Sequence, residues 1–563
     1  MRSLPKDDTP YKRPEERRMK KKDRVIKSIC VIFFLIVSFS CAPKKKVVLT
    51  PLQLEEFQDK AEAADSLYTT GSYTCLKESC QIYKDLLSIP HNQKSIKEKL
   101  AKAVILLTIR QRELGIHDST YFDEASALIR NNPFLSGFST YLELADSIPI
   151  RTKGMKGDIM DDSRRSDSRR ERLKENIEKW RQELEEKSKT EEFYAYLYIT
   201  GNCHFSYFIR EKEVIRETAD LTYFQRIFPH SPLIRYKLSF CPQEDVESLR
   251  KLLQTESRFY EIHYFLGEQA LKQGLLVTAE NHFLECFEHI PESLPTVISL
   301  ASIYFAFEEL EKSLDLYDKA LSMAPEFREA LLGKAICLSY LERHEEAIEF
   351  CNEILSLGGY YLGDTYYWLA WNQNELEKLD EAWESIEKSK PYLIGYSQVF
   401  SLAGVIAYKK GEKEIAEKNF HEALKLDPNN CEAAFYLGKI SGERQEWARS
   451  GEYYERAALC HNGKELSLER KIAEIEGSDF SQERKQKMIA KKKVQLKKTI
   501  LTKATFFYNA AAGYFNAGMD DQALKLAEKA SSHNALKQKA EELILKIKER
   551  KNSKRNLFLE RFI

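Results

Sequence analysis

Between residues 260 and 462 the apolar positions fall into one pattern written six times in succession. A small residue occupies the same slot of each copy, at Gly267, Ala301, Ala335, Ala370, Gly404 and Gly438, with steps of 34 residues and one of 35. Twelve residues further on stands a second small residue, at Ala279, Ser313, Ala347, Ala382, Ala416 and Ser450. Four beyond that a large side chain follows, as at Phe283, Tyr317, Phe420 and Tyr454. Each copy is therefore predicted to be a pair of antiparallel helices, crossing closely at the small residues with the large one wedged between them. Leu266, Leu300, Leu369 and Leu437 precede the first small slot. Gly274 and Gly411 mark the turn between helices, Ala320, Ala423 and Ala457 lie on the second helix, and Pro291, Pro325 and Pro428 end it.

Period and slots together resemble the tetratricopeptide repeat. The run from Asn419 to Gly438, with Phe420, Ala423, Leu424, the Leu426-Asp427-Pro428-Asn429-Asn430 turn, Ala433, Ala434, Tyr436 and Leu437, lies close to that family's consensus. The resemblance implies an all-α fold, a tetratricopeptide-type α-solenoid of antiparallel helical hairpins. The third and fourth copies depart from it, with Gly358-Gly359 and Tyr392-Leu393 in place of a closing proline, and Cys351 or Ile386 in the wedge position.

Outside residues 258–462 the signature erodes. Residues 42–150 carry divergent hairpins, traced by Ala61, Ala63, Ala64, Gly71, Cys80, Tyr83 and Pro90 and then by helical segments ending at Asn131-Asn132-Pro133. Residues 151–172 turn to Arg, Ser, Asp and Gly, too few apolar groups to offset the entropy of ordering, and are expected to form a flexible linker. Helical spacing resumes with Ile177, Trp180 and Leu184 in a degenerate region over 173–257. Its Pro229-His230-Ser231-Pro232 turn resembles those of outer-membrane assembly lipoproteins that carry the same repeat. After residue 462 the phase breaks: eight Lys or Arg between 484 and 498 predict an elongated, solvated helix within a charged insertion at 463–503. A final repeat with a capping helix is expected over 504–550, since an array must end in a polar outer face, followed by a tail at 551–563.

The N-terminus changes the expected location. Lys20, Lys21 and Lys22 precede an apolar run over 29–39, shorter than the roughly 20 residues that span a bilayer, which is the order of a secretory signal. Met19 is a credible start beside Met1. Ser38-Phe39-Ser40-Cys41 followed by Ala42 and three lysines resembles a relaxed lipobox, so residues 1–41 read as a signal peptide. In the lipoprotein family the matching cysteine, here Cys41, is acylated and anchors the chain to a membrane; an uncleaved anchor or a plainly secreted form are the other readings. All three place the bulk of the chain outside the cytoplasm.

Charge and chemistry narrow the function. Lys plus Arg and Asp plus Glu number 87 each, so the chain lacks the basic footprint of a nucleic-acid binder. Nine cysteines remain beyond Cys30 and Cys41, an odd number without framework spacing. Cys80, Cys286 and Cys351 fall in core slots and read as packing; Cys75 with Cys80 is the best-spaced disulfide pair, yet five residues apart on a helix they face different ways. His282, Cys286 and His289 have metal-like spacing but lack a fourth ligand, and Cys286 sits in a packing slot, so no metal and no cofactor is expected. No phosphate loop, nucleophile elbow or zinc-protease helix occurs, which argues against an enzyme.

The expectation is thus a non-catalytic extracytoplasmic adaptor or scaffold lipoprotein that binds a protein or peptide. In this repeat family the first helices line the concave face. Its geometry implies a groove lined by Tyr264, Glu268, Ile298, Ser302, Phe305, Leu332, Ile336, Tyr367, Trp371, Asn374, Val405, Tyr408, Phe435 and Lys439, an aromatic and aliphatic stripe suited to an apolar helix or extended segment. The opposing expectation is that neighbouring helices of the same chain fill this stripe. Two other functions are compatible with the sequence: an envelope-assembly component binding outer-membrane or cell-wall proteins along its edges, and a wall-active enzyme or enzyme accessory.

Overall fold

The computed structural model describes residues 49–148, 182–209, 218–240, 245–478 and 480–562, and these contain helices and turns but no strand. The expected signal peptide with Cys41, the linker at 151–172, and Ile177 and Trp180 lie outside the described residues. Among the described residues no helix is long and apolar enough to cross a membrane.

Among the described residues the first α-helices are α1 (Pro51–Thr70), α2 (Tyr73–Leu86), α3 (Gln93–Glu113), α4 (Thr120–Arg130) and α5 (Ser139–Ser147). Thr50 starts the first with a capping box, its hydroxyl accepting from the Gln53 amide while the Gln53 side chain accepts from Thr50 N. Four more follow: α6 (Glu192–Ile209), α7 (Thr218–Ile227), α8 (Pro232–Leu238) and α9 (Val246–Thr255). These segments share one apolar core with the first array repeat, from Phe57 through Leu106, Tyr196 and Phe259 to Phe283.

A charged knot joins the two halves of that core. Arg110 on α3 is 0% exposed and pairs with Glu113 and with Glu261, the first residue of the array, while its guanidinium lies 3.8 Å over the Tyr236 ring. Glu113 also pairs with Lys237 and accepts from Tyr196, and Glu261 accepts from the Tyr73 amide at 3.0 Å. Buried ions need such mutual satisfaction, because each is costly to desolvate alone.

The array itself consists of hairpins α10/α11 (Glu261–Lys272, Leu276–His289), α12/α13 (Leu294–Ala306, Leu310–Met323), α14/α15 (Arg328–Tyr340, His344–Leu357), α16/α17 (Leu362–Glu375, Leu379–Ser389) and α18/α19 (Ser397–Lys409, Lys413–Leu426). The sixth begins with α20 (Cys431–Glu443). The small slots do what their size requires: a Cβ placed on Gly267, Gly404 or Gly438 would meet the ring of Phe283, Phe420 or Tyr454 at 2.7, 2.5 and 3.1 Å. Tyr317 instead wedges forward against Gly333 of the next repeat.

The charged insertion forms a helical arm, part of which turns inward onto the array. The second helix of the sixth repeat, α21 (Trp447–Gly477), runs on for 31 residues, and α22 (Gln482–Asn516) returns beside it for 35, forming a long arm that ends in the seventh repeat with α23 (Asp520–Ser531). Of the eight basic residues between 484 and 498, Lys487, Lys491, Lys493, Lys497 and Lys498 are exposed, but Arg484 and Lys492 turn inward. Arg484 binds Glu280 at 2.9 Å and Glu309 at 2.6 Å, and Lys492, only 5% exposed, pairs with Glu308. Ile475 and Met488 enter the core cluster of the first repeats, and Phe480 packs edge-on against Phe307. Tertiary partners on the first two repeats, invisible to a count of charges, account for the difference. The capping helix α24 (Lys537–Phe562) likewise extends past residue 550.

Candidate functional site

The first helices of the repeats hold two kinds of predicted groove residue. Tyr264, Ile298, Leu332, Val405 and Asn374 are buried, so these five are closed inside the packing and present no surface to a partner. Tyr264 sits against Phe265 and Phe283, and Leu332 packs in the cluster around Ile354. Phe435 is half-buried and stacks on Phe506 of the arm at 5.1 Å, so there the chain's own helix covers the stripe.

The remaining positions reach the surface in part. Glu268 accepts from Ser299, and Ser302 turns back onto the Ile298 carbonyl at 2.9 Å. Ile336 is half-buried beside Leu331 and Ile354. The Tyr408 hydroxyl donates to Glu443, and Lys439 lies 4.8 Å over the Tyr408 ring. Burial, with the Glu432 charge nearby, pushes the Tyr367 phenol up to about 12, so it stays neutral at physiological pH.

Phe305 and Trp371 belong to a larger aromatic cluster whose centre the sequence reading passed over. Tyr340, 56% exposed, touches Phe305 at 5.4 Å, Trp368 at 5.8 Å and Trp371 at 6.5 Å between ring centroids. Trp368 and Trp371 meet edge to face, Tyr367 abuts Trp368, and His344 closes one side against Trp371. Three successive repeats thus contribute rings to one patch. Tyr340 was not among the expected groove residues, and its neighbour Ser339 is buried; the i, i+3 spacing of the two tryptophans was the available signal.

Beneath the patch runs a polar relay. Asn372 Nδ2 donates to Ser339 Oγ at 2.8 Å and to the Trp368 carbonyl at 2.7 Å, and its Oδ1 lies 3.0 Å from His344 Nδ1. That satisfied amide fixes the relative position of the third and fourth repeats, and with it the spacing of the rings. The relay underlies an apolar surface with polar edges.

The cysteines correct one expectation. Cys75, Cys80, Cys286, Cys337 and Cys351 are free and buried, and burial pushes the Cys80 thiol up to about 12. Cys431 and Cys460, a pair the sequence reading did not single out, are joined in a disulfide. His282 and His289 do not converge with Cys286: His282 Nδ1 faces His263 Nδ1 at 3.1 Å, His289 stacks on Tyr260, and Cys286 contacts Thr296.

A tetratricopeptide repeat profile matches residues 298–361 and 402–464. A human protein O-mannosyl-transferase, TMTC1, is 26% identical over 195 residues, 32% of this chain and 22% of that protein. Anaphase-promoting complex subunit 3 of Schizosaccharomyces pombe is 22% identical over 41% of this chain and 38% of its own length. The chain thus spans well under half of these relatives, 22% and 38%. Among solved structures, MamA of Desulfovibrio magneticus RS-1 is 14% identical, covering 30% of this chain and 96% of that one with a TM-score of 0.28. YrrB, described as a repeat protein with an unusual peptide-binding site, is 22% identical over 34% of this chain and 97% of its own, with a TM-score of 0.27. Six hairpins in phase, their wedged small slots and the profile match have one common explanation: the chain is a tetratricopeptide repeat protein.

Proposed function

We propose that the protein is a non-catalytic scaffold that binds an apolar helix or extended segment of a partner protein on the patch formed by Phe305, Tyr340, Trp368 and Trp371. The observation that carries this reading is the exposure of Tyr340 at the centre of rings drawn from three repeats. Rigid aromatics lose little entropy on binding and supply most of the energy at such surfaces. Tyr367, Tyr408 and Lys439, with Glu268, Ser302 and Ile336, would form the margins. The protein acts outside the cytoplasm, anchored through an acylated Cys41; the Cys431–Cys460 disulfide, a bond kept in oxidising compartments, supports that location. The enclosed charges around Arg110 pair with one another within the core, which suits a structural role for them.

The test is affinity capture from envelope fractions with the tethered protein, followed by calorimetry of the captured partner. Tyr340→Ala with Trp371→Ala should weaken binding by roughly 2 kcal/mol or more while leaving helicity and melting unchanged. Early melting of the double variant would mean that the rings hold the array together, and the docking reading would fall.

A further inference from the structure

Cys431 is the first residue of α20, Cys460 lies 29 residues on in α21, and their Cα atoms are 5.6 Å apart. The next residue, His461, brings a ring nitrogen within 4.8 Å of both sulfurs, with Cys431 and His461 buried and Cys460 half-buried. Three features of this trio go beyond a structural crosslink. First, His461 Nδ1 lies 2.9 Å from the Ala457 carbonyl oxygen. A carbonyl only accepts, so Nδ1 carries the proton and Nε2 keeps the lone pair; an imidazole whose second nitrogen donates to a carbonyl is the usual state of a metal ligand. Second, the ring stands edge-on to Phe506 at 5.3 Å, which fixes its orientation. Third, Cys460 Sγ sits 2.8 Å from the Asn429 carbonyl oxygen, a place for a thiol proton that a disulfide does not have.

Cys431 adds a reason for lability. At the first position of a helix its thiolate is stabilised by the positive end of the dipole, which makes it both a good ligand and a good leaving group in thiol exchange. Zinc takes sulfur at about 2.3 Å and imidazole nitrogen at about 2.0–2.1 Å, so binding one ion requires the two cysteine side chains to rotate apart around it once the disulfide is reduced.

We propose that Cys431, Cys460 and His461 form a redox-gated site for a zinc-class ion, closed as the disulfide and opened by reduction. A dithiol supplies two electrons and two protons, leaving as its own cyclic disulfide and giving two thiols. The divalent ion then displaces the two thiol protons, accepts the lone pair of His461, and keeps water in its fourth position. The site joins the start of α20 to α21, so the ion holds the sixth repeat closed when the covalent link is absent. This inference is independent of the partner-binding reading.

The experiment uses the full chain, reduced by a water-soluble phosphine that consumes one water and leaves as its oxide, with cobalt(II) alone as the probe. Reduced protein should show the visible bands of tetrahedral cobalt and a sulfur-to-cobalt charge-transfer band, saturating at one ion per chain and bleached by zinc. Cys460→Ser should weaken cobalt binding at least tenfold, and so should His461→Gln, which leaves both cysteines in place. Unreduced protein should show no band. Absence of the bands after reduction overturns the proposal. So do bands of equal strength in Cys460→Ser, which would put the ion on other cysteines, or in the unreduced chain.

Discussion

Seven residues, one at each turn between the paired helices of residues 261–531, adopt the left-handed backbone conformation. Three are glycines, Gly274, Gly411 and Gly518, at φ of 76, 85 and 79°. The other four are Glu308, Glu342, Glu377 and Gln445, at 59, 61, 58 and 61°. A side chain there costs about 1–2 kcal/mol, part of which glycine returns as unfolded-state entropy. Glu342→Gly should therefore raise stability by about 0.5–1 kcal/mol, read as a higher melting temperature, whereas Gly411→Ala should lower it; a fall for both would place the strain elsewhere. The sequence disclosed this slot only where glycine filled it. It disclosed Gly267 and Phe283 readily, because a close helix crossing permits few residues. The Cys431–Cys460 bond was hidden for the opposite reason: 29 residues apart, its two ends match no spacing rule, and only the closed hairpin brings them together.

At the scale of the element, the long arm depends on one crossing that the repeat pattern did not announce. A Cβ on Gly513 of α22 would come within 2.8 Å of the Gly451 amide nitrogen and 3.0 Å of its Cα, so two backbones touch where α21 and α22 diverge from the array. Backbone cannot yield as a side-chain tip does. Gly513→Ala should cost about 1–3 kcal/mol or more by overpacking. Gly463→Ala, on the same arm but with nothing within 4 Å of its Cβ, should stabilise by roughly 0.5–1 kcal/mol through helix propensity. Chemical denaturation of the two variants checks the pair, and equal effects would exclude the crossing as the tight point. The paired helices of each repeat were legible because their contacts are local and periodic. The patch around Tyr340 was legible in part, through Phe305 and Trp371, because the slots fix which turn of the helix a residue occupies but not which ring leans out of it.

For the whole molecule the arm changes how the repeats are coupled. In a simple array each repeat touches only its neighbours, so stability is close to a sum of local terms. Here Arg484 binds Glu280 of the first repeat and Glu309 of the second, while Lys491, Lys492 and Gln495 meet Glu308. The sixth and seventh repeats are thereby tied to the first two, and the chain of contacts closes on itself. Burial opposes ionisation of Glu308, but Lys492 and Lys491 outweigh it and hold the carboxyl below its ordinary 4.5; Lys312 and Arg484 do the same for Glu309. Carboxylates lowered in this way favour the docked arm above about pH 4.5 and lose that contribution as pH falls through their own lower values. Glu280 pulls the other way, since burial raises it and Arg484 only partly compensates. Glu308 is lowered by Lys492 and Lys491 of the arm itself, so its contribution favours docking at neutral pH and is lost in acid. Hydrogen exchange across residues 462–503 should therefore be slow at pH 7 and quicken, after correction for intrinsic rates, below about pH 4. Arg484→Ala with Lys492→Ala should produce the same release at pH 7, with the repeats from 294 to 426 still protected. If the arm of that variant exchanges as slowly as in the parent protein, the apolar contacts of Phe480, Ile475 and Met488 hold it without the ion pairs, and the acid response should vanish with them.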